Sequence, residues 1–128
     1  MEKYGAGSIV VSDYDPSWPA LFAQERARIA QALAPFALAI EHVGSTAVPG
    51  LPSKPIIDLL VGVPNLEQAR QRCMTPLEAL GYICMPEYAS WLPRELFFRK
   101  GPPGPWTHHM HVMELSHPRW EALVVFRD

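Results

Sequence analysis

Asp58 stands alone as a carboxylate in the apolar run Ile56-Ile57-Asp58-Leu59-Leu60-Val61, a short interval after the small-residue segment Val43-Gly44-Ser45-Thr46-Ala47. An ionisable group in such a strand is costly to bury unless it reaches the strand's end, a cation or a metal. Glycine lets the backbone approach a ligand closely, and the N–H groups of such a turn, with the Ser45 and Thr46 hydroxyls, take up negative charge. A carboxylate on the next strand can hold the Mg²⁺ that accompanies a phosphate. The spacing therefore predicts phosphate or nucleotide chemistry, against the simpler alternative of a tight turn without a ligand. Lys54, between the turn and the Asp58 strand, Arg99 and Lys100 supply positive charge opposite a triphosphate, arginine by bidentate contact and lysine as a point charge.

His109, His111 and Glu114 fall on one predicted strand, His108 to Leu115. Alternation puts residues 109 and 111 on one face and 114 on the other unless a bulge intervenes. Glu114 is still the best candidate for a second acid beside Asp58, as metal ligand and catalytic group. A histidine joining Asp58 would make a mixed nitrogen and oxygen set, which suits Mn²⁺ or Zn²⁺ better than Mg²⁺. Against this stands the plain reading of strand histidines as hydrogen-bonded structural groups. His42, ending an apolar strand just before the turn, reads as a support for that turn. Tyr88, Trp91 and Trp106 lie in Pro-rich loops, where an aromatic ring stacks on a base or, more often, packs on its own loop.

The 128 residues fit one domain over 1–128 that buries roughly two thirds of its unfolded surface. Eleven basic against thirteen acidic residues give a net charge of −2, which argues against general nucleic-acid binding and suits a small anionic substrate in a local basic pocket. Cys73 and Cys84 lie in unlike surroundings and read as reduced thiols, not zinc ligands. No apolar run approaches membrane-spanning length and the N-terminus has no export core, so a cytoplasmic protein is expected.

The elements that must position these residues follow from periodicity and turn residues. Val10 to Tyr14 reads as extended. Asp15-Pro16 opens a helix to about Leu33 whose inner face is Trp18, Leu21, Phe22, Ile29 and Leu33, with Gln24, Glu25, Arg26 and Arg28 outside. Strands are predicted at Leu38–Val43, Ile56–Val63, Tyr82–Met85, Glu95–Lys100 and His108–Leu115. Asn65 caps a helix to about Leu80, kinked at Pro76, and a last helix begins near Pro118. The order α-β-β-α-β-β-β-α predicts an α+β fold, a mixed sheet with helices mainly on one face.

The segment HVGSTAVPGLPSKPIIDLL resembles the signature of the GrpB family of the nucleotidyltransferase-fold superfamily. Leu96-Phe97-Phe98-Arg99-Lys100-Gly101-Pro102-Pro103, Thr107-His108-His109-Met110-His111-Val112 and Phe126-Arg127-Asp128 resemble that family in the same order, so the likeness runs from about Tyr14 to the end. It implies a nucleotidyltransferase-like fold in which Gly44 and Ser45 hold a nucleoside triphosphate and Asp58 a divalent metal, for transfer of a nucleotidyl group to an unidentified acceptor. The superfamily pattern has a second acid two positions on, where this chain has Leu60; relatives with a single Asp and a later Glu remain active. The resemblance equally implies an alternative, a catalytically silent nucleotide- or anion-binding accessory module like the domains fused to dephospho-CoA kinase. Family members usually continue past the FRD tripeptide, so the domain reads as shortened at its C-terminus.

Overall fold

The computed structural model describes residues 11–88, 94–101 and 104–127. A five-stranded mixed sheet carries four helices: α1 (Trp18–Leu33), β1 (Ala39–Val43), β2 (Ile57–Val63), α2 (Leu66–Arg72), α3 (Met74–Ala79), β3 (Ile83–Cys84), β4 (Glu95–Lys100), β5 (His108–Glu114) and α4 (Pro118–Arg127). The sheet order is β1-β2-β5-β4-β3, with β2 and β5 parallel and every other pair antiparallel. The α+β expectation holds, and the strands lie where alternation and turn residues put them. β2 reads as a near-continuous apolar run because it lies inside the sheet and is covered on both faces. Its parallel neighbour β5 is reached only after the chain has crossed through α2, α3, β3 and β4.

Period-two alternation sorts the side chains onto two faces. On one, Ile57, Leu59, Val61 and Val63 of β2 join Met110, Val112, Leu96 and Phe98 beneath Ile29 and Leu33 of α1, Ala69 of α2 and Leu77 of α3. On the other, Val43, Leu60 and Met113 are covered by Trp120, Leu123 and Val124 of α4. A side chain at Gly62 would meet Leu115 Cδ2 at 2.5 Å and Trp120 Cη2 at 3.0 Å, so glycine is what lets α4 lie this close. Asp58 lies two residue pairs along β2 from that contact, on the same face.

Two helix expectations are corrected. The break between α2 and α3 falls at Cys73, not Pro76; Pro76 occupies the first turn of α3, where an N–H has no intrahelical acceptor. Cys73 is buried there as a free thiol, pushed up to about 11 by that burial. In α1, Leu21 turns outward and Glu25 turns inward. The inward carboxylate is neutralised by Lys100 Nζ at 2.5 Å and accepts a hydrogen bond from the Tyr82 hydroxyl at 2.6 Å.

Glu114 ends β5 on the helix-covered side, and its Oε2 accepts the Leu66 N–H at 3.0 Å, while Asn65 Oδ1 accepts from Gln68 N at 2.8 Å. Two of the N–H groups that open α2 are thus satisfied by side chains. Glu114→Ala is expected to cost about 1 kcal/mol in urea denaturation, the ordinary scale of a lost helix cap. Among the described residues no helix is long and apolar enough to cross a membrane.

Candidate functional site

Three side-by-side rows of residues cross the face that carries Asp58. Strand pairing aligns Val43, Asp58, His109 and Arg99 in one row, Glu41, Leu60, His111 and Phe97 in the next, and Ala39, Gly62, Met113 and Glu95 in the third. The β1 chain turns back over the first row at Gly44, with φ 76°. A Cβ there would overlap Asp58 Oδ2 and press on its Cβ and Cγ at 3.1 Å. Only glycine combines this backbone angle with so close an approach to the carboxylate. The 3-10 turn Ser45–Ala47 follows, with Ser45 exposed.

Asp58 Oδ1 faces His109 Nδ1 at 3.6 Å. Burial raises the carboxyl to about 6, although its side chain keeps 30% exposure, and the charges of His111 and Lys54 oppose the shift only in part. Burial also lowers His109 to about 4, aided by Arg99, His111, Lys54 and His108. Since the imidazole loses its proton well below the pH at which the carboxyl does, the two do not form a charged pair. At neutral pH an ionised Asp58 faces a neutral imidazole. A phosphate on the Gly44 turn would then be repelled by Asp58 unless a cation lay between them. The donor set fits such a cation: Mg²⁺ commonly takes one or two carboxylates and completes its shell with water and substrate phosphate. Among the described residues no group of three or more His, Cys, Asp or Glu side chains is arranged around one point.

The other sequence-predicted residues separate. Lys54 acts electrostatically on both Asp58 and His109. Arg99 lies across β5 from Asp58, its guanidinium 5.7 Å from the Phe97 ring and 5.1 Å from that of Trp106. Lys100 points to the opposite face, into the Glu25 cluster, and Glu114 faces α2. The structure therefore does not bring either residue to Asp58. Thr46 is 1% exposed, with its hydroxyl turned inward. Trp106 packs on Arg99, Trp91 lies outside the described residues, and so does the side chain of Tyr88.

Glu95 was missed. Its side chain has no exposure, and it accepts from His111 Nδ1 at 2.6 Å and from Arg119 Nη1 of α4. The usable signal was alternation along β4, which puts Glu95, Phe97 and Arg99 on one face. The pairing itself depends on where α4 packs, and no local pattern announces that.

A solved structure shares this architecture, and other proteins are similar in sequence. The crystal structure of the conserved protein GrpB from Enterococcus faecalis superposes with a TM-score of 0.78 at 36% identity, covering 86% of this chain and 64% of that one. A UPF0157 protein of Pseudomonas aeruginosa is 47% identical over 94% of this chain and 49% of its own length, and one of Halalkalibacterium halodurans is 39% identical over 94% and 60%. A dephospho-CoA kinase of Mycolicibacterium paratuberculosis is 33% identical over 77% of this chain but only 26% of its own length. The chain thus spans about half the length of the Pseudomonas relative. With the GrpB protein family model matching residues 8–128 and the strand order placing its most distinctive segment around Asp58, this chain belongs to the GrpB family.

Proposed function

We propose that the Gly44 turn and Asp58 bind a nucleoside triphosphate together with a divalent cation, and that the chain transfers a nucleotidyl group to an acceptor. The observation that supports this most is the closure of the Gly44 turn on the Asp58 carboxylate, a turn of the kind that suits phosphate set against an oxygen of the kind that suits a metal. The turn and the Ser45 hydroxyl would receive phosphate oxygens, and Lys54 would balance their charge. Asp58, with His109 beside it, would hold Mg²⁺ or Mn²⁺. The cation would supply neutralisation of charge on the phosphates. Arg99, fixed between two rings, would present positive charge from the far side of the row. Transfer then depends on alignment and charge neutralisation more than on covalent chemistry by the protein.

A second reading, a silent nucleotide- or anion-binding accessory module, draws on Leu60. That residue occupies the position two along from Asp58 on the same face, and it is 0% exposed in the apolar cluster under α4. Glu114 turns away, and Glu95 is engaged by His111 and Arg119. The match to part of a dephospho-CoA kinase favours the same reading.

Titration calorimetry with ATP, GTP, CTP and UTP, with and without Mg²⁺ or Mn²⁺, tests the site. Metal-dependent binding is expected in the wild type. Gly44→Ala, which sets a methyl against the carboxylate at a positive φ, is expected to weaken it at least tenfold, in keeping with the sensitivity of sites to the groups that orient them. No binding of any of the four would remove the nucleotide reading. Binding with no pyrophosphate released when a small-molecule cell extract is supplied as a source of acceptors would select the silent module.

A further inference from the structure

Behind the Gly44 turn lies a buried polar chain that neither phosphate nor metal binding requires directly. We infer that His42 and Thr46 are positioning residues that fix the turn against the Asp58 strand, an inference that rests on the nucleotide reading above. The Thr46 hydroxyl, although next to the turn in sequence, would serve the scaffold and not the phosphate.

The hydrogen bonds support this assignment. Thr46 Oγ1 lies 2.9 Å from His42 Nε2 and donates at 3.4 Å to the carbonyl of Ile56. A hydroxyl has a single proton, so an oxygen that donates to a carbonyl must accept from the imidazole. With both of these bonds made, His42 would carry its hydrogen on Nε2. Its ring is held flat by Phe22 of α1, at 4.8 Å between centroids and 13° between planes. Ile56 in turn donates its N–H to the Lys54 carbonyl at 2.8 Å, and the next residue, Ile57, begins β2.

The chain therefore ties together four pieces: α1 through Phe22, the end of β1 through His42, the turn through Thr46, and the entry to β2 through Ile56. Asp58 is two residues beyond Ile56. The β1–β2 pairing sets Val43 beside Asp58, and the polar chain fixes the turn that follows, whose connection to β2, Val48 to Pro55, is long and rich in proline. Burial of both partners makes the link costly to break, since an unpaired buried donor keeps its full desolvation penalty.

The test uses the 128-residue chain and MgATP as probe. Thr46→Val keeps the shape and removes the hydroxyl; Thr46→Ser keeps the hydroxyl. Thr46→Val is expected to weaken MgATP about tenfold or more in titration calorimetry, the scale found for groups that orient a ligand-binding side chain, and Thr46→Ser to restore most of that loss. Long-range proton–nitrogen correlation spectra should show His42 protonated on Nε2 in the wild type and changed in Thr46→Val. Should Thr46→Val not fold, His42→Gln, which retains an N–H donor, against His42→Leu, which does not, makes the same comparison. A folded Thr46→Val that binds MgATP as the wild type does overturns the positioning role and leaves the nucleotide site intact. A wild type that binds none of ATP, GTP, CTP and UTP with Mg²⁺ overturns both; one that binds another of the four makes that nucleotide the probe.

Discussion

Asp58→Asn is expected to make the folded chain more stable at pH 8 while abolishing metal-dependent nucleotide binding. The carboxyl is raised from an ordinary 3.8 to about 6, first by burial, so the native state holds its proton more firmly than the unfolded chain does. The stability it contributes is full below pH 3.8 and is lost as pH rises towards and through 6. Above that the ionised, desolvated carboxylate costs at most about 3 kcal/mol, from about two pKa units at about 1.4 kcal/mol each. Asparagine fills the same volume without the charge. Urea denaturation should therefore show the variant gaining stability at pH 8 and nothing at pH 4. The comparison must be with the wild type at each pH, because His109 acts in the opposite sense. Its depressed value, about 4, means its stability is present above 6.5 and lost as pH falls through 4. A variant less stable than the wild type at pH 8 would make Asp58 a structural anchor. A gain in stability with loss of ligand is the pattern of a residue kept for function.

Glu25→Ala is expected to cost about 3–5 kcal/mol, the ordinary scale for removing one partner of a buried ion pair. Glu25 is 2% exposed, yet it holds Lys100, Tyr82 and, at 3.2 Å, Arg28. Burial raises its pKa, but the hydrogen bonds from Lys100 and Tyr82 and the charges of His108 and Lys100 outweigh burial and bring it below its ordinary value. The stability so gained is present above the ordinary carboxylate pKa of 4.5 and lost as pH falls through the depressed one, which makes this cluster an acid-labile point of the fold. Since native domains are stable by about 5–15 kcal/mol, the alanine variant would lose a large share of that. Glu25→Gln with Lys100→Met, which removes both charges, should recover much of the loss in the same denaturation experiment. Failure of the pair to recover would assign the cost to packing and not to the uncompensated ammonium.

These two carboxylates separate what was legible in the sequence from what was not. Asp58 announced itself because a charge inside an apolar strand demands a local reason, and the glycine preceding it by a turn and a loop suggested one. Strand Glu95–Lys100 lies as periodicity places it, and alternation along β5 already divided His109 and His111 from Glu114. Glu25 was legible only as one more polar residue among Gln24, Arg26 and Arg28, and Leu21 looked the better core residue. The difference lies in partners 57 and 75 residues away, Tyr82 and Lys100, whose charge and hydroxyl make an inward glutamate tolerable.

Glu95 repeats the lesson on the other face. Its partners come from β5 and α4, and its burial depends on both. By itself the sequence determined the elements, the family, and the Gly44–Asp58 pattern, because glycine conformation, capping and two- or 3.6-residue periods are local properties of the chain. Tertiary structure decided that β5 lies beside β2, that His109 faces Asp58 while Lys100 and Glu114 turn away, and that Thr46 is buried behind the turn. Those outcomes follow from a parallel pairing closed over some fifty residues and from desolvation on two helix-covered faces, neither of which is a property of any short segment.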